Sequence, residues 1–195
     1  LPPMSPELLP PAERRRAGPV IRLALSVAQQ AVIAAHASSS DLPTVFGSAW
    51  GDGENVHQIC QALAAPQAEI SPTRFHNSVQ NAPSGYWSIA TRSHAPSNTV
   101  NGLNTVFALA LLEAMVQVQI EQRDVLVVCY DVPLPEPLYA IEPHSHACGV
   151  AMVLGLAAND LSLAAIEVAR IPGRPLEIAS MADAAFDGIT PVATS

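Results

Sequence analysis

A chain of 195 residues, 49% hydrophobic and only 13% charged, is too apolar for a disordered segment and long enough for one domain with a substantial core. A formal net charge of −8 with nine Lys plus Arg argues against the clustered positive surface that nucleic acid or an anionic membrane requires. So little charge also leaves apolar surface for a partner to cover.

The opening LPPMSPELLPP shows no basic-then-apolar leader. The longest apolar run, Val106 to Val118, is interrupted by Glu113 and Gln117 and falls short of the roughly 20 residues of a bilayer span. No membrane segment is expected, and a cytoplasmic location is the simplest expectation. Leu1 to Pro11 holds five prolines and reads as irregular, so residues 1–18 are expected to be a Pro-rich linker or a truncated edge, with Arg14, Arg15 and Arg16 as a solvated helix start. Pro19 suits the first position of a helix. Val20 to His36 follows, apolar on nearly every face apart from Arg22, Gln29 and Gln30, and so is expected to be buried on more than one side.

Pro43 to Ser48 reads as a short strand, and Glu54 to Ala64 as a helix entered through Gly51, Asp52 and Gly53. Pro72 and Pro83 open short helices over 72–79 and 83–91. Asn98 to Val100 is the next strand and Leu103 to Glu121 a long apolar helix. In DVLVVCYD, from Asp124, the consecutive apolar positions Val125 to Tyr130 fit a strand covered on both faces. Pro133, Pro135, Pro137 and Pro143 make Asp131 to His146 a long surface loop. His146 to Ala157 and Leu161 to Arg170 read as two strands of a hairpin around Ala158, Asn159 and Asp160. After Pro172 the pattern weakens, which gives a domain over 19–172 and a tail over 173–195. Strands alternating with helices imply an α/β fold: an open, mostly parallel sheet with helices on both faces, in α-β-α layers.

Three constellations invite a chemical reading. His144, His146 and Cys148 have the residue types of a zinc site but no second ligand pair at a regular spacing, so no metal is expected. Asp52, Glu54 and His57 fit an acidic helix start better than an acid-base pair. Cys60, Cys129 and Cys148, odd in number and set among apolar neighbours, read as buried reduced thiols rather than a disulfide framework. Trp50, Tyr86 and Trp87 read as packing or interface residues. The segment from Ser71 to Gly102 is of another kind: dense in Ser, Asn and His between apolar elements, it is either a set of short helices wrapping a site or an interface.

On Phe75, Ser78, Asn81, the Ala82-Pro83-Ser84-Gly85 turn, Ser88-Ile89 and Ala95-Pro96 with the turn and long helix behind them, the chain resembles the amino-terminal half of the β-ketoacyl synthases of the thiolase superfamily. With PPAERRRAGPVIRLAL and YDVPLPEPL, it is similar to short β-ketoacyl-synthase-like proteins called chain length factors, often linked to aryl polyene pathways. The resemblance spans Pro10 to Leu156 and implies a thiolase-like half-fold. Family members begin with a core strand ahead of the Pro-rich segment. That first strand is therefore expected to be missing here, through truncation, processing or completion of the sheet by another chain.

In condensing enzymes a Cys on the turn before the long helix carries the acyl chain, activated by the helix dipole. The resemblance puts that position at Asn104, whose carboxamide forms no thioester, so no catalytic residue is expected. None of the six histidines maps onto the enzymes' catalytic pair. What is implied is a non-catalytic partner subunit of polyketide or fatty-acid-type biosynthesis, with Phe75, His76, Ser78, Asn81, Asn101 and Asn104 as binding residues and no cofactor. The expected partners are a full-length β-ketoacyl synthase, an acyl carrier protein, or both. A homodimer through Asn77 to Val100 is also open. The alternatives are decarboxylation of a malonyl thioester without acyl transfer, using polarising donors rather than a thiol, and a homodimeric scaffold.

Overall fold

The computed structural model describes residues 8–140 and 146–167. The chain divides into a compact unit over Leu1–Ala165 and a second over Ile166–Ser195. Only Ile166 and Glu167 of the second are described, and the tail expected from residue 173 lies outside the described residues. The first unit contains helices α1 (Pro11–Arg16), α2 (Pro19–Ala34), α3 (Gly53–Ala64), α4 (Pro72–Asn77), α5 (Ala82–Thr91) and α6 (Val106–Glu121). Its strands are β1 (Thr44–Gly47), β2 (Ser97–Val100), β3 (Val125–Asp131) and β4 (Cys148–Leu154).

Proline sets the helix starts. It occupies the first or second position of α1, α2, α4 and α5, where its missing N–H falls among donors that have no intrahelical partner. The sheet runs β2-β1-β3-β4, the first three strands parallel and β4 antiparallel to β3. Alternation along the strands feeds two cores. Phe46, Leu126, Val128 and Tyr130 pack with α2 and with Tyr86 and Trp87 of α5, whereas Val45, Val125, Val127 and Cys129 pack with Ala110, Ala114 and Val118 of α6. Helices thus cover both faces, as the pattern of β3 requires. Gly47 lets α6 approach closely: a Cβ there would lie 3.1 Å from Val106 Cγ2, 3.2 Å from Cys129 Sγ and 3.3 Å from Ala110 Cβ.

Four expectations need correction. Of the segment 1–18, residues 8–18 are described: they contribute helix α1, with Leu9 and Ala17 2% and 4% exposed, so this part is packed rather than a linker. The arginine run closes α1, where cations suit the negative end of the helix dipole, instead of starting it. No strand forms over residues 161–167: Ser162 N donates to Asn159 O at 3.0 Å and its Oγ accepts from Asn159 N at 2.9 Å, closing a local turn, and Leu163 is fully exposed. An alternating run becomes a strand only where a partner edge takes its backbone groups. Residues 168–170 of that expected strand lie outside the described residues. Of the three thiols only Cys129 is buried, because α3, which carries Cys60, leaves most of its surface open, and Cys148 starts an edge strand.

Leu103–Glu121 spans 19 residues at a mean hydropathy of 1.5, long and apolar enough to cross a bilayer by length and composition, contrary to the shorter run counted in the sequence. Here the helix lies on the sheet through Ala110, Ala114 and Val118, at 0%, 0% and 4% exposure. To span a membrane it would have to leave that core.

Candidate functional site

Ligand sites in open α/β sheets lie outside the carboxyl ends of the parallel strands. At those ends of β1, β2 and β3 a single carboxylate gathers the loops. Asp131 Oδ1 accepts from Ser48 Oγ at 2.8 Å, Ala49 N at 3.0 Å and Trp50 N at 3.2 Å. Ser48 Oγ in turn accepts from Gly51 N at 2.7 Å, and Gly51 sits at φ +62, where glycine carries no steric penalty. Gln80 Nε2 donates to Ser48 O and Asn101 Nδ2 to Ala49 O, both at 3.2 Å. The turn after β1 is thereby fixed to the end of β3, to α5's approach and to the turn after β2. Sequence reasoning missed Asp131; its signal was a carboxylate closing an otherwise apolar buried strand.

Asp131 also shapes the neighbouring titrations. Burial and then Asp131 push the Cys129 thiol up to about 12 and raise Tyr130; at Cys148, exposed as a residue, partial covering of the thiol and then Asp131 act in the same direction. Asp52, singled out in the sequence, caps α3 by accepting from Asn55 N at 3.1 Å. Burial raises its carboxyl above 3.8, with Glu54 adding to the rise while the Asn55 hydrogen bond and Arg74 oppose it.

The turn before α6 is a strained elbow. Leu103 adopts φ +47 at 51% exposure, a left-handed conformation that costs a branched side chain roughly 1–2 kcal/mol. Gly102 precedes it, and a Cβ there would run into Leu109 Cδ1 and stand 3.0 Å from Thr105 Oγ1. Asn104 occupies the middle of the 3₁₀ turn Leu103–Thr105, exposed, directly ahead of the first turn of α6. The helix tip therefore presents a carboxamide. Cys129 packs beneath that helix, beside Val106 and Ala110, as a protonated thiol inside the core rather than a nucleophile at its tip.

The other sequence-predicted site residues fall into separate places. Phe75 is 65% exposed on α4. His76, next to it, sets its ring edge-on to Tyr86 at 6.1 Å. Ser78 Oγ is spent on Phe75 O at 2.8 Å. Tyr86 OH donates to Asn77 Oδ1 at 3.1 Å and Asn77 Nδ2 to Arg16 O at 2.9 Å, tying α5, α4 and α1 together. Asn81 instead lines a groove of about 550 Å³ between α5 and β2, with Ser84, Ser88, Ser97, Asn98 and Glu113. Asn101 and Asn104 stand at the tip of α6. Of the six, the groove takes only Asn81. His146 is exposed, His144 lies outside the described residues, and no group of three metal-ligating side chains occurs among the described residues.

One face joins these features. Among the described residues β2 pairs only with β1, leaving its outer edge open beside the groove. On α6, Leu109, Leu112, Val116 and Ile120 recur at helical spacing with exposures of 41%, 49%, 45% and 75%. Such a stripe marks an interaction surface more often than a solvated one.

The family description "Beta-ketoacyl synthase, N-terminal domain" matches residues 2–180. Among solved structures, "Ketosynthase (ApeO) in Complex with its Chain Length Factor (ApeC) from Xenorhabdus doucetiae" superposes with a TM-score of 0.67 at 27% identity, over 77% of this chain and 62% of the other. "The ishigamide ketosynthase/chain length factor" gives 0.64 at 19% identity, over 77% and 47%. A β-ketoacyl synthase from Burkholderia phymatum STM815 gives 0.58 at 15% identity, over 68% and 34%. The last two likenesses establish the fold alone. This chain spans less than two thirds of the length of these solved relatives. No curated protein matches it.

Proposed function

Since the chain belongs to the β-ketoacyl synthase N-terminal-domain family, we propose that it is a non-catalytic, chain-length-factor-like subunit that docks on a full-length β-ketoacyl synthase and helps shape the pocket into which the acyl chain grows. The observation that carries this reading is the exposed apolar stripe of α6 beside the open edge of β2, next to a helix tip that holds Asn104 where the resemblance places the acyl-carrying Cys. A carboxamide accepts no acyl group, yet the elbow around it keeps its strained backbone. The 27% identity to a ketosynthase and chain length factor complex supports a partner of the same family, and the aryl polyene setting of the resemblance supports a polyene chain as the product. An acyl carrier protein is the second proposed partner, for which exposed Arg15, beside the Arg16–Glu13 ion pair at the end of α1, gives an acidic chain local positive charge.

Co-expression with its candidate ketosynthase, followed by native mass measurement, tests the reading. A one-to-one assembly is expected. A persistent monomer overturns it, and a homodimer that ignores the enzyme overturns it in favour of the scaffold.

A further inference from the structure

The groove between α5 and β2 is polar on a face that is otherwise apolar, and its hydrogen-bonding capacity is lopsided. Ser84 Oγ donates to Asn81 O at 2.9 Å, Ser88 Oγ to Ser84 O at 3.1 Å, and Thr44 Oγ1 to Ser97 Oγ at 2.7 Å. The hydroxyl hydrogens of Ser84 and Ser88 are turned inward, so these two offer the groove oxygen lone pairs, whereas Ser97 accepts from Thr44 and keeps its own hydrogen. Glu113, its sole charged lining residue among the described residues, accepts from Asn98 Nδ2 at 2.6 Å and from Gln117 Nε2 at 2.9 Å, both on Oε1. Oε2 is left for another donor. A half-buried carboxylate with one oxygen unused, in a groove that also offers the lone pairs of Ser84 and Ser88, calls for a cation that brings several N–H groups at once.

We propose that this groove receives the guanidinium of an arginine carried by the chain that pairs with the outer edge of β2, an inference that rests on the docking reading above. Edge and groove are contiguous, since Ser97, Asn98, Thr99 and Val100 both form β2 and line the groove. A strand laid on that edge would send alternate side chains toward α6, the face on which Asn98 meets Glu113. The same chemistry discriminates between partners. A second copy of this chain paired through β2 brings Ser97–Val100, which carries no cation, and leaves Glu113 Oε2 without one. A different chain with an arginine at that register satisfies it. Glu113 thus selects the hetero-assembly over the homodimer.

Three acetylated, amidated peptides, Thr-Val-Xaa-Val-Thr with Xaa as arginine, norleucine or glutamate, serve as probes against the full-length isotope-labelled chain. The arginine peptide is expected to produce saturable amide shifts at Ser84, Ser88 and Asn98 and to bind about tenfold tighter than the norleucine peptide, with the preference lost in Glu113→Gln and suppressed by salt. Equal binding of the norleucine peptide, or an arginine preference that survives Glu113→Gln in a variant melting like the parent, overturns the proposal. In parallel, Glu113→Gln is expected to weaken assembly with the ketosynthase about tenfold. If the parent chain forms no such assembly, the docking reading falls while the peptides still judge the groove.

Discussion

Placing aspartates at Leu112 and Val116 should abolish docking without unfolding the chain. Fully burying an aliphatic side chain contributes about 1.5–3 kcal/mol, so covering the half of each that is still open contributes about 1 kcal/mol. With exposures of 41%, 49%, 45% and 75%, the stripe of Leu109, Leu112, Val116 and Ile120 then contributes about 4 kcal/mol to an assembly. Leu112→Ala removes one share, about a fivefold loss of affinity. Leu112→Asp with Val116→Asp removes two and adds the cost of desolvating carboxylates, at least about 3 kcal/mol or 100-fold. Both positions face away from the sheet core, which Ala110, Ala114 and Val118 hold, so thermal stability of the free chain should move little. Titration calorimetry against the ketosynthase, with near-ultraviolet dichroism as the folding control, reads both quantities. Unchanged affinity in a folded double variant refutes the assignment of this face.

Three further outcomes follow from the packing and the titrations. Gly47→Ala should lower stability by about 1–2 kcal/mol, or roughly 3–6 °C, because the new methyl crowds Val106, Ala110 and Cys129, whereas Gly85→Ala, with nothing within 4 Å, should gain about 0.5–1 kcal/mol in thermal melts. Burial raises the folded-state carboxyl of Asp52 above 3.8, so its ionisation costs stability as pH rises through that window; Asp52→Asn, which can still accept from Asn55 N, should melt higher than the parent at pH 7 and lose the advantage below pH 3.8, and a deficit at pH 7 that shrinks in acid contradicts this. Iodoacetamide at pH 8 should leave Cys129 unmodified in the folded chain, since its thiol is buried and pushed up to about 12, while Asn104→Cys should introduce a thiol that alkylates faster than exposed Cys60, because it sits at the positive end of α6; equal rates argue that the tip lends no activation.

The elements that are punctuated locally were legible in the sequence. Pro19, Pro72 and Pro83 marked helix starts because a missing N–H is tolerated there, and the unbroken run Val125 to Tyr130 announced a strand covered on both faces. Features decided by distant contacts were not. Leu161 onward alternates like a strand but closes a local turn on Asn159 instead of pairing with a strand, and helix α1 owes its place to Asn77 Nδ2 meeting Arg16 O across 61 positions of sequence. Asp131 showed only as a charge at the end of an apolar run, since its donors on Ser48, Ala49 and Trp50 lie 81 to 83 residues away. The Asn104 tip came from the resemblance, and its strained neighbour Leu103 from the backbone. Composition indicated a covered apolar surface without its location; α6 supplies that, because a helix apolar on every side leaves one stripe outside when it packs on a sheet by another.

Which polypeptide carries the acyl group decides whether this chain is a non-catalytic subunit. A short-chain acyl donor is incubated with this chain alone, with the ketosynthase alone and with the two together, and each intact mass is measured after denaturation. An acyl increment is expected on the ketosynthase and none on this chain in any mixture. A stable acyl adduct on this chain by itself contradicts the non-catalytic reading.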